Sequence, residues 1–134
     1  MQPKLGNVTV WYVGQVRSTP FACRLRQGLT LIGSGWPVAE TPAGRLMTVA
    51  NGFTGGSTSP VADRFSIWLG DSTYGAQGYQ TYYKLNVSSI DRWATTTGSI
   101  TDRSTTTLFQ PFRTAFMNSI QGHEAWVMPA PWTP

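Results

Sequence analysis

The sequence predicts an all-β fold, a sandwich or barrel of about eight short antiparallel strands. Apolar and polar residues alternate with a period of two in segment after segment, the mark of strands with one buried face. The chain carries 18 Thr, 11 Ser and 14 Gly, while charged residues make up only 12%, about half the usual share. No long segment shows a helical period. At 134 residues the chain fits a single domain, residues 1–134, with enough length for a core without disulfide staples.

In chain order, Val8, Val10 and Tyr12 alternate with Thr9, Trp11 and Val13 as a first strand. Phe21, Cys23 and Leu25 alternate with Ala22, Arg24 and Arg26 as a second, which turns Cys23 inward. After the Gln27-Gly28 turn, residues 29–32 form a third. The following Gly33-Ser34-Gly35-Trp36-Pro37 ends it, because proline cannot donate to a ladder. Thr41-Pro42-Ala43-Gly44 reads as a turn, residues 46–50 as a short strand or one helical turn, and residues 51–60 as a loop by composition.

Residues 63–93 organise the rest. Phe65, Ile67 and Leu69 alternate with Arg64, Ser66 and Trp68. Tyr79, Thr81, Tyr83 and Leu85 resume the pattern against Gln80, Tyr82 and Lys84. Two alternating runs joined by the glycine-rich residues 70–78 read as a β-hairpin whose loop is too long to fix the register by itself. On this alternation Trp68 and Tyr82 fall on the face opposite Ile67 and Tyr83. Residues 88–93 read as a helical turn capped by Ser88 or Ser89. Phe112, Thr114 and Phe116 then alternate with Arg113, Ala115 and Met117. Residues 121–123 turn the chain into a last strand, 124–128. Pro129, Pro131 and Pro134 make residues 129–134 an extended, polyproline-like C-terminal arm.

The net charge is +4, and eight of the ten basic residues are Arg, scattered from Arg17 to Arg113. Nucleic-acid binding needs a basic patch or stripe, so no such partner is expected, and these arginines read as surface cations, some paired. No apolar run is long enough for a membrane span, and no signal peptide is visible.

Catalytic chemistry is not evident. His123, the only histidine, reads as an exposed turn residue with no motif joining it to a carboxylate and a nucleophile. One His and one Cys cannot fill a zinc site. Asp71 with loop carbonyls is a candidate calcium site, without EF-hand spacing. No phosphate loop or dinucleotide fingerprint is present. The expectation is therefore no enzyme, no resident metal and no cofactor.

The aromatics carry the functional candidates, and six of them are Trp. A self-assembling structural protein, forming a homo-oligomer or filament, would use Trp68, Tyr79, Tyr82, Trp126 and Trp132, the last on its proline-rich arm. A carbohydrate-binding module would use Trp68, Tyr79 and Tyr82 as a stacking platform beside Asp71.

The segments Leu31-Ile32-Gly33-Ser34-Gly35-Trp36-Pro37, Ala62-Asp63-Arg64-Phe65-Ser66-Ile67-Trp68 and Tyr79-Gln80-Thr81-Tyr82-Tyr83 occur in an order that resembles an uncharacterised family of secreted bacterial β-proteins. The resemblance spans most of residues 28–128. It implies a secreted or cell-surface location and no assigned activity.

Overall fold

A computed structural model describes residues 18–33, 36–69, 71–72, 75–76, 78–96, 100–111 and 113–131. The strand expected over residues 8–13, the side chain of Asp71, and Trp132 lie outside the described residues or side chains. The strands are β1 (Phe21–Leu25), β2 (Gly28–Gly33), β3 (Arg64–Trp68), β4 (Asp71–Ser72), β5 (Gly75–Ala76), β6 (Tyr79–Val87), β7 (Ile90–Thr95), β8 (Thr114–Ser119) and β9 (His123–Met128). Five of them form one antiparallel sheet in the order β2-β8-β3-β6-β7, β1 and β9 form a second, and β4 and β5 pair at a hairpin tip. The layers make a sandwich and do not close into a barrel.

One bent ribbon makes both layers. β2 pairs with β8 from Gly28–Ser119 to Gly33–Thr114, and β1 pairs with β9 from Leu25–His123 to Phe21–Met128. The corner lies between, at residues 26–27 and 120–122. There Gly122 has φ +79°, and a Cβ on it would sit 2.9 Å from Gln27 N and 3.0 Å from Leu25 O. Only glycine allows both that backbone and that approach. Past the corner, Leu25, Trp126 and Met128 of the small sheet pack with Ile32, Phe65, Ala115 and Met117 of the large one.

Residues directly opposite in an antiparallel pair share a face. β3 and β6 pair Phe65 with Tyr82, Ser66 with Thr81 and Trp68 with Tyr79. Tyr82 therefore lies on the core face, its ring stacked on Phe65 at 5.1 Å, and Trp68 lies on the outer face with Tyr79. The expected sharing of a face by Trp68 and Tyr82 is wrong. One residue of register exchanges the two sets, and the pattern of β6 misled because Gln80 and Lys84 occupy core-side positions. Lys84 is buried there in an ion pair with Asp91, its ammonium 5.6 Å from the Trp93 ring.

The core also absorbs Trp36, Trp93 and Trp126, each at most 2% exposed. Trp93 Nε1–H donates to Met47 O at 2.8 Å, and Trp126 Nε1–H to Arg45 O at 2.7 Å. Two buried donors are thus satisfied by the connection between β2 and β3. That connection holds turns over residues 42–46 and short 3₁₀ turns at Val49–Asn51 and Ser59–Val61. Residues 88–93 are not helical: Ser88, at φ +55°, and Ser89 make a tight turn straight into β7.

Candidate functional site

The outer face of the large sheet is closed at one end and open at the other. At the closed end, residues 59–62 lie against it. Gly56 bridges to Leu85, Arg64 Nη1–H donates to Ser59 O at 3.3 Å, and Ala62, Tyr83, Leu85 and Ala94 form a second small core. At the open end, Leu29 and Leu31 of β2, Phe116 of β8, Trp68 of β3 and Tyr79 of β6 form an apolar strip across four adjacent strands. Leu29 is 68% exposed, Leu31 58%, Tyr79 54% and Trp68 43%. Tyr79 links the aromatics, with ring centroids 4.9 Å from Trp68 and 5.6 Å from Phe116. Ser66 Oγ and Thr81 Oγ1, 2.7 Å apart, satisfy each other within the strip. The rings meet at 60° and 65°, so they do not make the flat platform expected for sugar stacking.

Trp68 also borders a cleft of about 190 Å³ at the end of the sheet, lined by Leu69, Tyr82, Thr107, Gln110 and Arg113 among others. Tyr82 reaches this cleft from the core side, only 7% exposed. Burial raises the pKa of its hydroxyl, and the positive charge of Arg103 partly offsets the effect. Of the five candidate residues, Trp68 and Tyr79 are exposed and adjacent. Tyr82 is core with one side on a cleft. Trp126, at 1% exposed, is core and cannot contact a partner.

A cluster that the sequence did not reveal centres on Asp63, which is fully buried. Its Oδ1 accepts from Ile120 N–H at 2.7 Å and Ser119 Oγ–H at 3.2 Å; its Oδ2 accepts from Thr54 N–H at 2.9 Å and His123 Nε2–H at 3.0 Å. His123 is therefore not an exposed turn residue. It opens β9, 8% exposed, with its ring 4.5 Å from that of Phe53. A nucleophilic triad needs the histidine between serine and carboxylate. Here the serine and the histidine each bond the carboxylate directly, and Ser119 is 1% exposed, so the cluster works as a structural clamp. Nothing in the local sequence joins Asp63 to a histidine sixty residues away; only the pairing of β3 with β8 and the bend from β8 into β9 do.

Arg45 is likewise no surface cation. At 1% exposed, it donates through Nε to Glu40 Oε2 at 3.0 Å, with Nη2 2.9 Å from the same oxygen as an ion pair without hydrogen-bond direction. Its guanidinium lies 4.0 Å from the centroid of Phe109. Burial lowers its pKa, opposed by the charge and hydrogen bond of Glu40.

Among the described residues no three His, Cys, Asp or Glu side chains gather as metal ligands, and no helix is long and apolar enough to cross a membrane. No protein-family model, curated protein or solved structure matches the chain.

Proposed function

We propose that this chain is a non-enzymatic structural protein that packs against copies of itself through the open end of its outer sheet face. The observation that carries the reading is the contiguous strip of exposed Leu29, Leu31, Trp68 and Tyr79 around half-buried Phe116. Counting roughly 150–250 Å² for a whole large aromatic side chain and less for leucine, the strip offers about 400–500 Å². That equals the largest apolar patch of many monomers and falls short of the ~800 Å² per partner of a standard interface. Association through the strip alone is therefore weak and concentration-dependent. The strip carries no charge of its own, which suits an identical apolar surface better than a charged partner. The test is particle mass across a dilution series. The full chain should rise above its 14.7 kDa monomer mass as it is concentrated, and Tyr79→Lys should shift that rise to higher concentration. A monomer at every concentration rejects the reading.

A second reading, carbohydrate binding, is favoured by the cleft where Trp68 stands beside Gln110, Arg113 and Thr107. A ring over Trp68 with polar groups at its rim suits one sugar unit better than a chain. Glycan-array binding that is lost in Trp68→Ala supports it; an array without signal rejects it.

A further inference from the structure

We propose that β2 is the pairing edge: two copies join through it, antiparallel about a two-fold axis at Thr30, into one continuous ten-stranded sheet. The proposal rests on the self-association reading above and names how the copies meet.

The hydrogen-bond phase of the sheet identifies the free groups. In an antiparallel ladder a residue's N–H and C=O point to the same side, and successive residues alternate. Lys84 N–H donates to Asp63 O at 2.8 Å and Leu69 N–H to Gly78 O at 3.0 Å, so odd-numbered residues of β3 face β6. Even-numbered ones then face β8, where Arg64 meets Asn118 and Ser66 meets Phe116. Odd-numbered residues of β8 are left to face β2, where Ala115, Met117 and Ser119 meet Ile32, Thr30 and Gly28. Leu29, Leu31 and Gly33 therefore turn their backbone groups away from the sheet. Gly33 O receives Arg45 Nη1–H at 3.5 Å; among the described residues no strand pairs with this edge.

The opposite edge of the same sheet is treated differently. On β7, Arg103 N–H donates to Trp93 O at 2.7 Å and Trp93 N–H to Ser104 Oγ at 3.0 Å, and Asp91 and Arg92 add charge. Edge strands are normally blunted by charge, proline, a bulge or a cover. β2, Gly-Leu-Thr-Leu-Ile-Gly, has no charge or proline, and its ladder with β8 runs without a bulge.

A second copy is the occupant that fits. Centred on Thr30, the pairing sets Leu29 against Leu31 of the second copy and the reverse, and each pair exchanges two backbone bonds. Both leucines of each copy then meet on the outer face, so the two apolar strips merge across the seam. Centring on Leu31 instead would set Leu29 against Gly33, whose carbonyl already accepts from Arg45.

Particle mass separates the alternatives. Leu31→Pro removes an outward N–H without breaking a bond to β8, whereas Leu31→Thr keeps the N–H and loses similar apolar area. The full chain should dimerise, Leu31→Thr should dimerise more weakly, and Leu31→Pro should be a folded monomer by its thermal melt. Association that survives in Leu31→Pro but is lost in Tyr79→Lys overturns edge pairing and leaves the face reading standing. A full chain that stays monomeric, with the edge taken by residues 1–17 or by another protein, overturns both. Should Leu31→Pro fail to fold, Thr30→Cys in a Cys23→Ser background decides the matter. Facing non-hydrogen-bonded residues lie about 4.5 Å apart, within disulfide reach, so mild oxidation should give a covalent dimer. No cross-link, or one formed only by Leu31→Cys, overturns the Thr30 axis.

Discussion

Asp63→Asn tests the buried clamp, because it keeps the shape of the side chain and changes only what it can accept. Each carboxylate oxygen receives two donors: Ile120 N–H and Ser119 Oγ–H on Oδ1, Thr54 N–H and His123 Nε2–H on Oδ2. An amide replaces one oxygen with an NH₂ group, and either orientation points that group at a backbone N–H that cannot turn away, Ile120 on one side or Thr54 on the other. Hydrogen bonds to a charged group contribute about 1.5–3 kcal/mol each, and removing one partner of a buried charged pair costs about 3–5 kcal/mol. Setting the amide NH₂ against a fixed backbone N–H, with the charge gone from all four bonds, should therefore cost about 3–5 kcal/mol, out of a typical total of about 5–15 kcal/mol. With a urea dependence of about 1.5–2 kcal/mol per M, the midpoint should fall by roughly 2 M. A double-mutant cycle with His123→Ala should give a coupling above about 1 kcal/mol. A loss under about 1 kcal/mol in Asp63→Asn, or zero coupling, would refute the clamp.

Gly122→Ala should lower stability by at least about 2 kcal/mol, since alanine is strained at positive φ and its Cβ would strike backbone atoms of residues 25–27; chemical denaturation reads this directly. Alkaline stability should fall in two stages. Burial holds the Cys23 thiol above its ordinary 9.0, against the pull of Arg45, and the Tyr82 hydroxyl above its ordinary 10.0. In each case the unfolded chain ionises first, so the group's contribution is complete below its ordinary value and is lost as pH rises through the folded one. Melting temperatures should decline from about pH 9, less steeply in Cys23→Ala, and Tyr82→Phe should soften the decline above pH 10; a flat profile in the parent chain contradicts both.

Most strands were legible because a period of two survives wherever one face is buried: Phe65 on β3, Leu25 on β1, and Ala115 with Met117 on β8 all sit where alternation allows. β7 was not, since residues 88–93 read as a helical turn and the structure makes Ile90–Thr95 a strand. The long hairpin was legible as well. Its register was not, since the core side of β6 contains Gln80 and Lys84, and a buried lysine becomes tolerable only through Asp91 and Trp93 on the neighbouring strand. The candidate surface was half legible. Trp68 and Tyr79 are exposed, but composition cannot separate an exposed tryptophan from Trp93 or Trp126, whose indole N–H groups find carbonyls 46 and 81 residues away. Asp63 and His123 were opaque for the same reason, because their partnership exists only after the ribbon has bent.

That clamp and the outer face are mechanically joined. Thr54, held by Asp63, begins the connection that runs beside β6 and lies against the closed end of the outer face, and Asp63 N–H also donates to Thr54 O at 2.8 Å. The same connection buries Tyr83, Leu85 and Ala94. It lies so close to β6 that a Cβ at Gly55 would fall 2.3 Å from Asn86 Cβ. Loosening the clamp therefore frees the cover before it unfolds the sheet, because β3 keeps its own ladders to β6 and β8. The newly bared side chains adjoin the open strip and enlarge the apolar area of the outer face on either side of Arg64 and Asn118. Patches of that size drive association. Asp63→Asn should bind a hydrophobic dye in native buffer, below its unfolding transition, and self-associate more strongly than the parent chain. His123→Ala should do so less, because Thr54 N–H keeps its acceptor there. Dye binding that appears only together with global unfolding would show that the clamp holds the sheet itself and that the cover does not open separately.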